Sequence, residues 1–155
     1  MNLHRSTPVL LVRVAGAICG LTVSDVIETM RPLPVEPLAN MPDFMRGIAL
    51  IRGAAVPVIE LAAVFDARSS SRTARFVTIR VGERCIALAV ESVIGVAELG
   101  EHRFEGLPPL LKNARSDAIQ AIGTLDAELL VLLRASRLVP EAVWKNLDRS
   151  EAAAR

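Results

Sequence analysis

A series of short aliphatic strands and turns runs through the first half of this sequence, and the second half repeats it in the same order. Gly16 and Cys19 return 66 residues later as Gly82 and Cys85. The run Leu21-Thr22-Val23-Ser24-Asp25-Val26-Ile27 returns 67 residues later as Leu88-Ala89-Val90-Glu91-Ser92-Val93-Ile94. Pro32-Leu33-Pro34 is echoed by Leu107-Pro108-Pro109, Ile51-Arg52-Gly53 by Ala121-Ile122-Gly123, and Val56 to Phe65 by Leu130 to Val139. A period of about 70 residues is far longer than that of solenoid repeats. It predicts two related subdomains over residues 9–66 and 75–139, divided near the Ser-rich segment Arg68 to Thr73.

Within each half the apolar residues come in short runs of Val, Ile and Leu, broken by Gly, Pro or a charge. Val9 to Val14, the turn Ala15-Gly16-Ala17 and Ile18 to Val23 read as strand, tight turn, strand. Phe76 to Val81, Gly82-Glu83-Arg84 and Cys85 to Val90 read the same way. Ile48 to Ile51 and Val56 to Leu61, joined by Arg52-Gly53-Ala54-Ala55, form another hairpin, and Leu129 to Leu133 a further strand. Such spacing favours an all-β barrel or sandwich. Helix signals are few. Pro42 to Arg46, closed by Gly47, predicts one or two helical turns, and Pro140 opens a C-terminal helix over residues 140–153.

Composition narrows the function. The 155 residues are 52% hydrophobic and 23% charged, the balance of a folded globular chain, yet only 3% aromatic, with a formal net charge of +1. Nucleic-acid binders usually offer stacking rings or a basic excess. The basic stretch Arg68, Arg72, Arg75, Arg80, Arg84 lacks interleaved aromatics, so a solvated linker and outward strand residues explain it better than an anionic partner. The longest uncharged stretch, Val14 to Ser24, falls well short of the ~20 residues a spanning helix needs. With no secretory signal pattern and two cysteines outside any framework, a cytoplasmic protein is expected.

Few residues could carry catalysis or bind a metal. Two His (His4, His102) and two Cys (Cys19, Cys85) are too scattered for a four-ligand metal site, and both cysteines sit in apolar strands as buried thiols would. The acids Glu28, Asp43, Glu60, Asp66 and Glu91 fall singly. The sequence has no Gly-x-Ser-x-Gly elbow and no Gly-x-Gly-x-x-Gly loop, and neither of its lysines, Lys112 and Lys145, follows a glycine-rich turn. No enzyme activity, cofactor or metal is expected. Arg52-Gly53 occupies a hairpin tip, where Gly permits positive φ and a stiff base displays the planar guanidinium. Val26 and Glu28 alternate on the segment after the second strand and could present one apolar and one acidic group.

The ordered set Val23-Ser24-Asp25-Val26-Ile27-Glu28, Pro32-Leu33-Pro34, Met41-Pro42-Asp43-Phe44-Met45-Arg46-Gly47-Ile48 and Leu50-Ile51-Arg52-Gly53-Ala54-Ala55-Val56-Pro57-Val58-Ile59-Glu60-Leu61 closely resembles the first half of the CheW-like chemotaxis coupling family. Leu88 to Val96, the Leu-Pro-Pro loop, Ala121-Ile122-Gly123 and Leu130 to Leu133 resemble its second half, so the likeness runs from about Val9 to Val139. The resemblance implies an all-β fold of two SH3-like five-stranded β-barrels around a shared core, with short helices and a C-terminal helix. It implies a non-enzymatic adaptor that links the cytoplasmic tips of methyl-accepting chemoreceptors to the regulatory domain of a CheA-type histidine kinase. Ring assembly with other CheW-like domains is implied too, with no nucleic acid and no direct membrane insertion.

The positions that match the family's partner surfaces are Val26, Glu28, Arg52, Gly53, Val93 and Val96, within the Val93 to Val96 segment. Two departures stand out: the family often has an aromatic where Cys19-Gly20 stands, and an acid where Arg134 stands. They leave open a role in an auxiliary chemosensory system rather than the flagellar one. The alternatives from other classes are a small-molecule-binding β-barrel using the groove between the barrels, and an SH3-like nucleic-acid binder.

Overall fold

The structure is a computed structural model that describes residues 7–65, 73–100, 104–105 and 116–153. The chain runs β1 (Thr7–Val14), β2 (Ala17–Thr22), a 3-10 turn, β3 (Val26–Met30), β4 (Met45–Ile51), β5 (Ala54–Glu60) and a single helical turn, α1 (Leu61–Val64). The second half repeats the order: β6 (Arg75–Val81), β7 (Arg84–Val90), β8 (Ser92–Leu99), a short β9 (Phe104–Glu105), β10 (Ile119–Leu125), β11 (Glu128–Leu133) and the C-terminal helix α2 (Glu141–Ala153). The expected all-β fold of two SH3-like subdomains with a C-terminal helix is what the chain adopts.

The sheets do not divide the chain at its middle. One sheet has the order β3-β6-β7-β5-β4, the other β8-β1-β2-β11-β10-β9. Each takes its leading hairpin from the opposite half: β6–β7 joins β3, β4 and β5, while β1–β2 joins β8, β10 and β11. Each sheet therefore takes strands from both sides of residues 66–75. Each exchanged hairpin is held by one parallel ladder, β5 on β7 through Val58↔Ala87 and β2 on β11 through Leu130↔Ile18, and one antiparallel ladder, β3 on β6 and β1 on β8. Such pairings join segments remote in sequence and leave no local signal. The six-stranded sheet also departs from the expected five, because Phe104 and Glu105 add β9 beside Gly123 and Ile122.

Strand register sharpens the repeat. Val14 pairs with Ala17 across the first turn, and Val81 with Arg84 across its counterpart, so the leading hairpins align at an offset of 67. Cys19 thus corresponds to Ile86, not to Cys85. A one-residue slip reverses the face of a strand, which is why Cys19 is fully buried while Cys85 is only half-buried. The second hairpins align at 74, with Ile51↔Ala54 matching Leu125↔Glu128 and a bulge at the same place in each.

Burial on both faces explains why these strands read as continuous aliphatic runs. In β7, Ile86, Leu88 and Val90 enter the core shared by the two sheets, while Ala87 and Ala89 face the five-stranded sheet's own small core. In β1, Leu10, Val12 and Val14 face the shared core, and Val9 and Leu11 a second small core. Val143, Trp144 and Leu147 of α2 close the shared core at one side. Arg84 holds the helix there, its guanidinium 4.5 Å from the Trp144 ring and bonded twice to Asp148 at 2.9 Å.

Gly20 explains one departure from the family pattern. A Cβ added there would come within 2.7 Å of Val9 Cγ1 and 3.2 Å of Leu132 Cδ1, so aliphatic neighbours already fill the space an aromatic would need. The helical turns expected over Pro42 to Gly47 are not formed. Asp43-Phe44 is a turn, and β4 begins at Met45. Gly47 is required by close approach: it sits at φ 142, where a Cβ would run into the Glu36 carbonyl. That contact lets Glu36 and Ile48 exchange backbone hydrogen bonds at 2.8 and 2.9 Å.

Candidate functional site

Arg52 and Gly53 form the β4–β5 turn with φ of 50 and 79, both in the left-handed region. A two-residue turn with both angles positive matches the natural twist of a hairpin, and Gly53 adopts it freely. Arg52 adopts it at a steric cost. The compensation is visible. Its Nε donates to Glu28 Oε1 at 2.8 Å and its Nη2 to Oε2 at 2.6 Å, a bidentate pair.

This pair does more than join two side chains. Glu28 lies on β3 and Arg52 at the end of β4, the two outermost strands of the five-stranded sheet. A bond between those strands requires the sheet to curl back on itself, so the pair ties the barrel closed. The Arg52 guanidinium also holds the Glu28 carboxyl below its ordinary pKa, and Glu28 raises that of Arg52 in return. Both stay charged at neutral pH.

The backbone of Glu28 is fixed from below. Its N–H donates to Thr78 Oγ1 at 3.2 Å, and the Thr78 hydroxyl donates to the Glu28 carbonyl at 3.3 Å. Thr78 is 1% exposed, the one buried polar side chain among the described residues. The ladder shifts register between Val26 and Glu28, so Ile27 bulges outward and is 46% exposed. Leu50 on β4, 70% exposed, completes an apolar fringe near the ion pair.

The structure therefore brings Glu28, Arg52 and Gly53 together. Val26 sits beside Glu28 in sequence, but its side chain is half-buried against the shared core. Val93 and Val96 lie on β8, an edge of the other sheet; Val93 packs on the shared core while Val96 is exposed. Sequence reasoning missed Thr78, Ile27 and Leu50. Strict alternation hides a bulged residue, but Thr78 was findable as the lone uncharged polar residue in the aliphatic run Phe76 to Val81.

Reactive chemistry has little to work with among the described residues. Burial pushes the Cys19 thiol up to about 12 and raises that of Cys85. No group of three His, Cys, Asp or Glu among the described residues could hold a metal ion. His4, His102, Arg68, Arg72, Leu107-Pro108-Pro109 and most of the Ser-rich segment lie outside the described residues. Two cavities, of about 830 and 560 Å³, border α2, and the Trp144 ring lines both. Arg84, Asp117 and Arg137 in the larger already interact with other groups of the protein. No described helix is long and apolar enough to cross a membrane.

Comparison with known proteins agrees with this architecture. A family model described as the CheW-like domain matches residues 8–143. The chemotaxis protein CheW of Klebsiella aerogenes is 26% identical over 122 residues, covering 77% of this chain and 74% of that protein. A probable chemotaxis protein CheW of Rhizobium etli is 24% identical over 110 residues, covering 70% and 71%. The crystal structure of the scaffolding protein TtCheW from Thermoanaerobacter tengcongensis superposes with a TM-score of 0.76 at 22% identity, covering 89% of this chain and 95% of that one.

Proposed function

The chain belongs to the CheW-like domain family, and from that membership we propose that it is a non-enzymatic chemotaxis adaptor, coupling chemoreceptor tips to the regulatory domain of a CheA-type histidine kinase. Its output is the geometry of an assembly rather than a reaction. It works in the cytoplasm and reaches membrane receptor arrays only through its partners. Ring assembly with other CheW-like domains follows from carrying partner surfaces on both barrels, with Val26, Glu28, Arg52 and Gly53 on one and Val93 and Val96 on the other.

The observation that carries this reading is the β4–β5 tip. There a strained, 78% exposed Arg52 is held rigidly by Glu28 beside exposed Leu50 and Ile27. A pre-organised Arg with apolar neighbours has the composition of an interface hot spot. Substituting Arg52→Ala is expected to weaken binding of the kinase regulatory domain or the receptor tip by about ten- to a hundredfold. The thermal midpoint should fall only slightly, because an ion pair this exposed adds little to stability. Titration calorimetry beside a thermal melt measures both, and unchanged affinity for both partners sinks the proposal.

A further inference from the structure

The smaller of the two cavities beside α2, about 560 Å³, has mostly apolar walls. Leu38, Ile48, Ala55, Pro57, Trp144 and Leu147 form them, drawn from the loop before β4, the β4–β5 hairpin and α2. Trp144 and Leu147 belong to the shared core, and Leu38 and Ile48 pack against it, so the walls are held in place without a ligand. Ala55 helps to keep the space open. In the six-stranded sheet Thr124 pairs with Leu129 as Leu50 pairs with Ala55, so a leucine stands there where the cavity has only a methyl group.

The ionisable groups around this cavity leave one charge unbalanced. Arg84 and Asp148 bond each other twice at 2.9 Å, and the Arg84 guanidinium lies over the Trp144 ring. Glu36, exposed at the rim, makes no ion pair with any described residue. Its backbone is nonetheless fixed: its N–H donates to the Ile48 carbonyl at 2.8 Å, and its carbonyl accepts from the Ile48 N–H at 2.9 Å. Those two bonds also occupy the outward backbone groups of Ile48, so an extended peptide finds no open strand edge there. What remains is a preformed apolar recess with one carboxylate at its mouth. Small-molecule sites have this make-up, a volume of roughly 300–1,000 Å³ and few polar groups that fix orientation.

We propose that this cavity binds a small apolar molecule carrying one cationic amine, its hydrocarbon body against Ile48, Pro57 and Trp144 and its ammonium at Glu36. None of the lining residues belongs to the partner surface proposed above, so ligand binding and partner coupling can be tested apart.

The chain has one tryptophan and no tyrosine, so its intrinsic fluorescence reports on Trp144. Hexylamine, hexanol and hexanoate share a hydrocarbon chain and differ in charge. At neutral pH, hexylamine is expected to change the fluorescence saturably with a Kd of about 1 mM. Hexanol should bind about threefold and hexanoate about tenfold more weakly. Glu36→Gln should bring the three within about twofold of one another. Ala55→Leu, which places in the cavity the side chain the other sheet already carries, should weaken all three about tenfold.

Trp144 also borders the larger cavity, and Cys85 tells the two apart because it lines only the smaller. The other thiol, Cys19, is fully buried. Methyl methanethiosulfonate should modify Cys85, and hexylamine at about ten times its Kd should slow that reaction about tenfold. A fluorescence change without protection of Cys85, equal affinity for hexanoate and hexylamine, or no saturable response to any of the three overturns the proposal. Should thermal melting show that Ala55→Leu does not fold, the Glu36→Gln series and the thiol protection decide the matter, since neither alters the apolar walls.

Discussion

At the tip of the second hairpin of the five-stranded sheet stands Arg52, held by Glu28 on β3; at the same two positions of the six-stranded sheet stand Asp126 and Gly95. The two sheets otherwise match closely. Both have the same strand order over five strands, the same bulges and the same exchange of leading hairpins. Among the described residues each sheet has one bidentate Arg–carboxylate pair within its own strands and turns, but in different places. The five-stranded sheet ties its outer strands together through Arg52 and Glu28. The six-stranded sheet braces β1 against β11, across β2, through Arg13 and Glu128 at 2.9 and 3.3 Å. Duplicated architecture thus fixes where strands lie and leaves the polar fastenings free to differ. What the two share belongs to folding, and what only one has is a candidate for function.

The strongest test of the shared part lies in the core. Leu21 on β2 and Leu88 on β7 occupy equivalent positions, 2% and 0% exposed, and both enter the core between the sheets. Either change to Ala should cost about 2–5 kcal/mol. Because each leading hairpin sits in the opposite half's sheet, neither half can unfold without dismantling the other. Both variants should therefore melt in a single transition with coincident fluorescence and circular dichroism curves. Two resolved transitions in either would mean that the barrels are separable units.

The sequence reveals much of this because local physics writes it there. Turn residues and Val-rich runs mark the hairpins, and the ordered motifs resemble a known family. The exchange of hairpins is not legible, because it depends on ladders between segments remote in sequence, such as Ala17–Thr22 with Glu128–Leu133 and Thr7–Val14 with Ser92–Leu99. The register of the repeat is misread by one residue at the glycines, since Gly16 and Gly82 serve different positions of their turns. At the candidate site, Arg52 and Glu28 are identifiable separately as a turn and a strand residue. Their contact is not, because it depends on how far the sheet curls. Ile27 escapes because a bulge suspends the alternation on which any strand reading relies.

The turns provide a smaller contrast. Gly53 and Ala127 are equivalent, with φ of 79 and 66, and Ala127 bears a strain that Gly53 avoids. Ala127→Gly should therefore stabilise the protein by about 1 kcal/mol, and Gly53→Ala should destabilise it by a similar amount. A Cβ at Gly53 meets nothing within 4 Å, so its cost would be purely conformational. Chemical denaturation of both variants checks the pair. Two changes of the same sign would show that the turns are not conformational equivalents.

The smallest effects concern pH and separate the fastenings of the two sheets. Glu28 and Glu128 are each held below their ordinary pKa by the arginine they bond, Arg52 and Arg13. A carboxylate whose pKa is lower in the folded state adds stability that is complete above the unfolded value, about 4.3, and disappears as pH falls through the folded value. Glu60 runs the other way. Burial raises its pKa against the lowering effect of Arg46, so the charged form opposes folding and acid relieves it. The net expectation is a thermal midpoint that declines as pH falls from 5 towards 3. Glu28→Gln and Glu128→Gln should each make that decline shallower. Because the pairs share no partner, the double variant should show the sum. Both pairs are exposed enough for salt to weaken them, so 0.5 M NaCl should shrink all three differences. A decline unchanged by either substitution would place the acid sensitivity elsewhere, with the Arg84–Asp148 pair that holds α2 the next to test.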